Sequence, residues 1–266
     1  LNTLREALSE VIACFPVYRT YVADTVSAED RRYIDWAVSH ARRRGRGADV
    51  TIFEFVRQAL LCELPIAGDP RHAAAVRAFA IKFQQVTAPV MAKGVEDTAF
   101  YRYNRLASLN DVGGDPGQFG FPVKAFHGAS GDRATKWPAT MLATSTHDNK
   151  RSEDVRARID VLSESPATWR LWLRRWSRMN RSRKREIEGE RVPSANDEYL
   201  LYQVLLGSFP PGDVDADALA AYRDRIQAYM LKAIREAKVW TSWVNVNEAY
   251  EDAMRQFVDG LLAGPE

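Results

Sequence analysis

The chain has 266 residues, 46% hydrophobic and 27% charged, enough for one large globular domain or two. Its 37 Lys and Arg balance 35 Asp and Glu to a net charge of +2, which removes any global pull toward nucleic acid or an anionic membrane. No stretch approaches the roughly 20 apolar residues that span a bilayer.

The chain starts at Leu1 on a helix signal, with neither an initiator Met nor a signal-peptide pattern, so a piece of a longer protein is expected. Asn2 or Thr3 can cap a helix whose apolar positions Leu4, Ala7, Leu8, Val11 and Ile12 share a face, and Phe15-Pro16 stops it. Residues 17–22, with Tyr18, Thr20 and Tyr21, predict a strand. Ser27 then opens a second helix with Tyr33, Ile34, Ala37 and Val38 on one face, broken by the run from Arg42 to Gly47. That run reads as a cationic helix end with a glycine stop rather than a phosphate site, given the balanced total charge. A third helix is predicted over 50–64, a turn over 65–70 and a fourth helix from 71 to about 86. Cys14 and Cys62 both fall in apolar helical patterns without metal-ligand spacing. They read as small buried hydrophobes in a reducing, cytoplasmic compartment.

From 87 to 138 the helical periodicity fades and Gly and Pro accumulate. Phe100, Tyr101, Tyr103, Phe119, Phe121, Phe126 and Trp137 argue for an ordered, ligand-binding loop region rather than disorder. An apolar strand pattern over 139–143 leads into Thr144-Ser145-Thr146-His147-Asp148-Asn149-Lys150-Arg151, and a charged helical pattern over 152–162 leads out. A strand with a polar end followed by a helix is how a barrel presents a catalytic side chain, although a salt-bridged helix start has the same composition. Further on, Trp169, Trp172, Leu173 and Trp176 lie at helical spacing among arginines. This reads as a tryptophan core stripe with a solvated Arg face; the rival is stacking on nucleic acid. Helices follow from Ser194 through Phe209, from 217 to about 239, and from Asn247 to 262.

The stretch 93–106 is dense in groups that bind a polyol. Its carboxylates take adjacent hydroxyls in pairs, its aromatic rings cover the apolar face of a sugar, and its cations fix both; a loop tied by its own salt bridges is the bland alternative. No Gly-x-Ser-x-Gly elbow and no phosphate loop occurs, and His40, His72 and His127 add no zinc spacing. Carboxylate chemistry remains, with Asp148, Glu96 and Asp97 as players.

At these residues the chain resembles a known family. Phe83-Gln84-Gln85 through Lys93-Gly94-Val95-Glu96-Asp97-Thr98-Ala99-Phe100-Tyr101-Arg102-Tyr103-Asn104-Arg105-Leu106 is similar to the signature of the maltooligosyltrehalose synthases. So are Ser108-Leu109-Asn110-Asp111-Val112-Gly113-Gly114-Asp115-Pro116, Trp137-Pro138, residues 144–159 and Phe15-Pro16-Val17-Tyr18-Arg19-Thr20-Tyr21. The likeness covers most of residues 1–160 and loosens beyond. These enzymes belong to the α-amylase superfamily, glycoside hydrolase family 13. The resemblance implies a (β/α)8-barrel parent that moves the reducing-end α-1,4 bond of a maltooligosaccharide to an α,α-1,1 bond by intramolecular transglucosylation. Two closely placed carboxyl groups suit such a retaining reaction.

Carried over residue by residue, Asp148 matches the third superfamily carboxylate, which stabilises the transition state, and His147 its hydroxyl-binding neighbour. Lys150 and Arg151 match a Lys-Arg pair. Asn149 stands where the family usually has Thr, a change not expected to move Asp148. Lys93, Glu96, Asp97, Arg102 and Tyr103 are assigned to substrate subsites. The strand ends that carry the nucleophile and the acid/base do not occur in this sequence, so the resemblance implies a chain without synthase activity by itself.

The expected fold is mainly α with a few strands, a helical region from a barrel glycoside hydrolase. Residues 1–88 are assigned as helical, 89–151 as active-site loops with one barrel strand, and 152–266 as helical again, packed as one compact unit. Maltooligosaccharide and the rest of the parent polypeptide are the expected partners, with no nucleic acid, membrane, metal or cofactor. The alternatives are a non-catalytic glucan-binding module and, behind it, a nucleic-acid or protein-interaction module on the Trp/Arg helix.

Overall fold

The computed structural model describes residues 2–45, 50–64 and 70–263. It is mainly helical, and the chain forms two compact units, Leu1–Val95 and Glu96–Glu266.

The first unit holds α1 (Asn2–Ala13), α2 (Ala28–Arg44), α3 (Val50–Leu60) and α4 (Pro70–Val90). Each helix buries an apolar stripe. Ala7 and Val11 of α1, Ile34, Ala37, Val38 and Ala41 of α2, Phe53 and Val56 of α3 and Phe83 of α4 form one core cluster. Ser27 caps α2, its hydroxyl accepting from the Asp30 amide at 2.9 Å. Arg42, Arg43 and Arg44 form the last turn of α2, where cations suit the helix dipole. Arg46, Gly47 and residues 65–69 of the turn predicted over 65–70 lie outside the described residues, and Pro70 already belongs to α4.

No strand forms at residues 17–22. A strand needs a partner backbone, and here a side chain takes that place. The buried Gln84 accepts from the Val22 amide at 2.6 Å and donates to the Val22 carbonyl at 3.0 Å. The Tyr21 amide goes to Asp30 Oδ1 at 3.0 Å.

α4 runs past its expected end and contains Pro89. Proline removes an amide donor and crowds the preceding turn. The chain then takes a wider, π-helical winding over Met91–Ala99.

The second unit contains α5 (Phe100–Arg102), α6 (Val123–Lys136), α7 (Glu153–Asp160), α8 (Pro166–Met179), α9 (Ala195–Ser208), α10 (Ala216–Ala237) and α11 (Glu248–Leu262). A two-stranded antiparallel hairpin, β1 (Arg185–Ile187) and β2 (Glu190–Val192), pairs Arg185 with Val192 and Ile187 with Glu190. Its core gathers Ile159 of α7, Leu200, Leu201 and Val204 of α9, Ile226, Met230 and Ala233 of α10, and Met254, Phe257 and Val258 of α11. Ser194, Asp215 and Asn247 cap α9, α10 and α11 through their side chains. α7 crosses α9 at Gly207, where an added Cβ would lie 2.9 Å from Val155 Cγ1 and Ile159 Cγ1. Arg235 grips the buried Glu251 with two bonds, at 2.7 and 2.6 Å, and Thr241 adds a third at 2.8 Å.

Three expectations are corrected here. Residues 139–143 form no strand; Met141 and Leu142 are exposed, and no described segment offers them a ladder. Within the Gly- and Pro-rich stretch, α6 is a full helix, invisible to periodicity because it buries none of its side chains. The tryptophan stripe of α8 is no closed core, since no residue of that helix is fully buried. One edge lies on α9, with Trp176 5.4 Å from Tyr202 and the Trp169 indole donating to Tyr199 at 3.3 Å, while Arg175 stacks over the exposed Trp172 at 5.1 Å.

Candidate active site

The segment 144–151 has no regular structure, yet it is tightly held from one side. Asp111 is the centre of that support. It sits in a turn fixed by two buried amides. Asn110 donates to the carbonyls of Phe100 and Tyr103 at 2.8 Å each, and Gln203 of α9 takes the Ala107 amide at 2.7 Å and gives to the Asn104 carbonyl at 2.9 Å. Gly114 closes this turn, its amide donating to the Asp111 carbonyl at 2.8 Å. A Cβ at Gly114 would lie 2.9 Å from the carbonyl oxygens of both Leu109 and Asp111, so only glycine fits.

From there the Asp111 carboxylate reaches across to the candidate site. Oδ1 accepts from Asn149 Nδ2 at 2.7 Å and from the Lys150 amide at 3.4 Å, and Oδ2 pairs with Arg156 of α7 at 2.8 Å. Arg156 also donates to the Thr144 carbonyl, and the Asn149 side-chain oxygen accepts from the Thr146 amide. The His147-Asp148 turn is thereby braced on both flanks by one buried carboxylate. Ser145 and the residue's own amide hold the Glu153 carboxyl below the usual carboxylate range.

His147 and Asp148 themselves face outward. Their side chains are 88% and 72% exposed, with His147 Nε2 3.2 Å from Asp148 Oδ2. Below them Lys150 Nζ pairs with Asp97 Oδ1 at 2.8 Å, both largely buried, and the buried Glu96 accepts from the Gly113 amide at 3.2 Å. Lys150 thus ties Asp97 to the 144–151 segment, while Glu96 is tied to the turn at Gly113. Chemically His147 and Asp148 offer an exposed imidazole and carboxylate on a braced turn, groups able to take adjacent hydroxyls.

The other assigned residues are placed differently. Arg102 donates to the carbonyls of Ala237 and Lys238, the latter at 3.2 Å, satisfying the open end of α10. Tyr103 is exposed, while its carbonyl serves Asn110. Arg151 points into the helices and donates to the Ala107 carbonyl at 3.0 Å and to the Tyr229 hydroxyl at 2.7 Å. Lys93 is exposed and belongs to the first unit. Asp111 and Arg156 are the supporting residues that sequence reasoning missed. The signal for Arg156 was its place in the 144–159 stretch that resembles the family. Asp111 lies in the 108–116 stretch that resembles the family, but its partners lie 38 to 45 residues away, so no local pattern marks its role. Among the described residues, no three His, Cys, Asp or Glu side chains cluster for a metal ion.

No protein-family model matches the chain. Two curated relatives, the maltooligosyl trehalose synthases of Mycobacterium tuberculosis strains CDC 1551 / Oshkosh and H37Rv, are each 42% identical over 186 residues, 70% of this chain. The solved maltooligosyltrehalose synthase of Arthrobacter ramosus superposes on 98% of the chain with a TM-score of 0.75 at 36% identity. That of Sulfolobus tokodaii covers 97% with a TM-score of 0.70 at 32% identity. The chain is homologous to a segment of the maltooligosyl trehalose synthases. It spans 23% of the curated relatives and 30% of those two solved chains. The mainly helical architecture is that of the matching segment in the solved synthases, and no helix among the described residues is long and apolar enough to cross a membrane.

Proposed function

We propose that the chain serves as the helical part of an enzyme that converts the reducing-end α-1,4 bond of a maltooligosaccharide into an α,α-1,1 bond by intramolecular transglucosylation. The observation that carries this reading is an exposed Asp148 whose backbone is locked by Asp111, Asn149 and Arg156, together with homology to the synthases. An acceptor placed in advance stabilises developing positive charge at the sugar ring without reorganising during the reaction. In this reading Asp148 stabilises the oxocarbenium-like transition state and His147 binds a neighbouring hydroxyl. Glu96, Asp97, Lys150 and Tyr103 line the sugar path, and Arg102 and Arg151 hold the backbone behind it. The nucleophile and acid/base come from other parts of the parent polypeptide, since double displacement needs both. Both cysteines are free, as a cytoplasmic compartment would leave them.

The test is a chimera of the Arthrobacter enzyme in which this chain replaces the segment it matches. The chimera should form trehalose-ended product from maltopentaose. Asp148→Asn should lower kcat by about 10²–10⁴ while leaving the thermal transition in place. The chain alone should give no product. An active Asp148→Asn chimera would overturn the assignment.

A non-catalytic glucan-binding role is the second reading. It is favoured by the exposed Phe119 ring with the Arg105 guanidinium 6.0 Å from its centre, an aromatic platform beside a hydrogen-bond donor. Calorimetric titration of maltopentaose into the chain alone separates the two readings.

A further inference from the structure

Between α7, α9 and α10 lies a cavity of ≈ 250 Å³. Its polar lining is Lys150, Arg151, Ser208, Tyr222, Arg225 and Tyr229, and no Asp or Glu borders it. Arg151 is only 8% exposed and has no carboxylate partner among the described residues. Nη1 and Nη2 each give one of their two N–H groups to a neutral acceptor, and Nε is buried with no hydrogen-bond partner. A buried guanidinium left this way lacks both its counter-charge and one of its hydrogen bonds. Arg225 lies against the Tyr222 ring at 5.8 Å and likewise has no carboxylate partner among the described residues.

The hydroxyls sharpen the chemistry. Ser208 Oγ gives its proton to the Val204 carbonyl at 2.7 Å, so the 2.9 Å contact with Tyr222 is a donation from the tyrosine, whose proton is then committed. Tyr229 accepts from Arg151, which leaves its own O–H free to donate. Lys150 is already neutralised by Asp97. The cavity therefore offers two uncompensated guanidinium charges and one free hydroxyl donor, and no anionic acceptor.

We infer that this cavity is a binding site for a phosphate dianion, either inorganic phosphate or the phosphate group of a small monoester. Two guanidinium groups match its charge, and their planar donors match its oxygens. Because Lys150 and Arg151 lie two and three residues after Asp148, an occupant fixes the far end of the turn that presents Asp148. This inference is independent of the reaction proposed above, since it is read by binding alone.

The experiment titrates inorganic phosphate, and separately glucose 1-phosphate, into the purified chain at constant ionic strength. Calorimetry measures affinity, and backbone amide shifts of Asn149, Lys150 and Arg151 report the site. Saturable binding with shifts at those amides is expected, weakened at least tenfold in Arg225→Gln, an exposed position whose loss leaves the core intact. Asp148→Asn should bind phosphate as the unaltered chain does. Tighter binding of the sugar phosphate would mark a monoester as the ligand, and equal binding would mark free phosphate. The inference is overturned if neither probe saturates, or if Arg225→Gln binds both as the unaltered chain does.

Discussion

Replacing Asp111 by Asn keeps the shape of the side chain and removes one charge, so it isolates the brace under the candidate site. An Asn side chain can still accept from Val112, Asn149 and Lys150 through its remaining oxygen, but its NH₂ group then faces the Arg156 guanidinium, donor against donor. Breaking a fully buried ion pair costs about 3–5 kcal/mol, and a fully exposed one about 0–1. The two side chains here are 13% and 23% exposed, so the loss falls between those limits, at about 2 kcal/mol. That is about a 30-fold rise in the open population of the turn. For a unit of this size it lowers Tm by about 4–8 °C. Thermal unfolding followed by circular dichroism gives the global figure, and amide hydrogen exchange at Asn149 and Lys150 gives the local one. Arg156→Gln should reproduce both, and the double variant should cost less than the sum, because each single change already breaks the same bond. If Asp111→Asn leaves Tm within about 1 °C of the unaltered chain and the Asn149 and Lys150 amides exchange no faster, Asp111 does not hold the turn.

Two further substitutions test the second unit's packing and charge. Gly207→Ala improves helix propensity by about 1 kcal/mol, but its methyl group meets Val155 and the fully buried Ile159 at 2.9 Å. Overpacking of about 1–3 kcal/mol outweighs that gain, so urea melts should show a net loss of stability; a gain would mean that α7 can move aside. The Glu251 carboxyl is held below its usual range by the Arg235 hydrogen bonds and by Thr241. A depressed folded-state pKa contributes stability that is present above the unfolded value of about 4.3 and lost as pH falls through the folded one. The Tm gap between the unaltered chain and Glu251→Gln should therefore be constant near neutrality and close below about pH 4; a gap that widens in acid refutes the assignment.

Most of the helices were legible because they bury one stripe, and some, as at Ser27 and Ser194, are opened by a recognisable cap. The misreadings share a physical cause. The strand expected over 17–22 was inferred from β-branched and aromatic residues, but a ladder requires a second backbone, and Gln84 supplied the missing hydrogen bonds from 62 residues away. α6 was missed for the opposite reason: it has backbone order without a buried face, so no pattern marks it. The hairpin went unseen because its turn, Glu188-Gly189, places both residues at positive φ without the Asn-Gly or Asp-Gly pair that usually announces it.

The candidate site divides along the same line. His147 and Asp148 were legible because their chemistry is local and adjacent. What makes that chemistry usable is not local. The turn is fixed by a carboxylate from 38 residues upstream and a guanidinium from α7, and that carboxylate's own loop is fixed by Gln203 on α9. A residue list drawn from a motif mixes groups that meet ligand with groups that hold the backbone, as Arg102 and Arg151 show. Both carry a cation suited to sugar or phosphate, yet Arg102 is spent on closing the end of α10, while Arg151 is turned away from Asp148. Arg102→Lys keeps the charge but loses the two-carbonyl fork. It should therefore speed amide exchange at the end of α10 while leaving the Lys150–Asp97 ion pair unchanged.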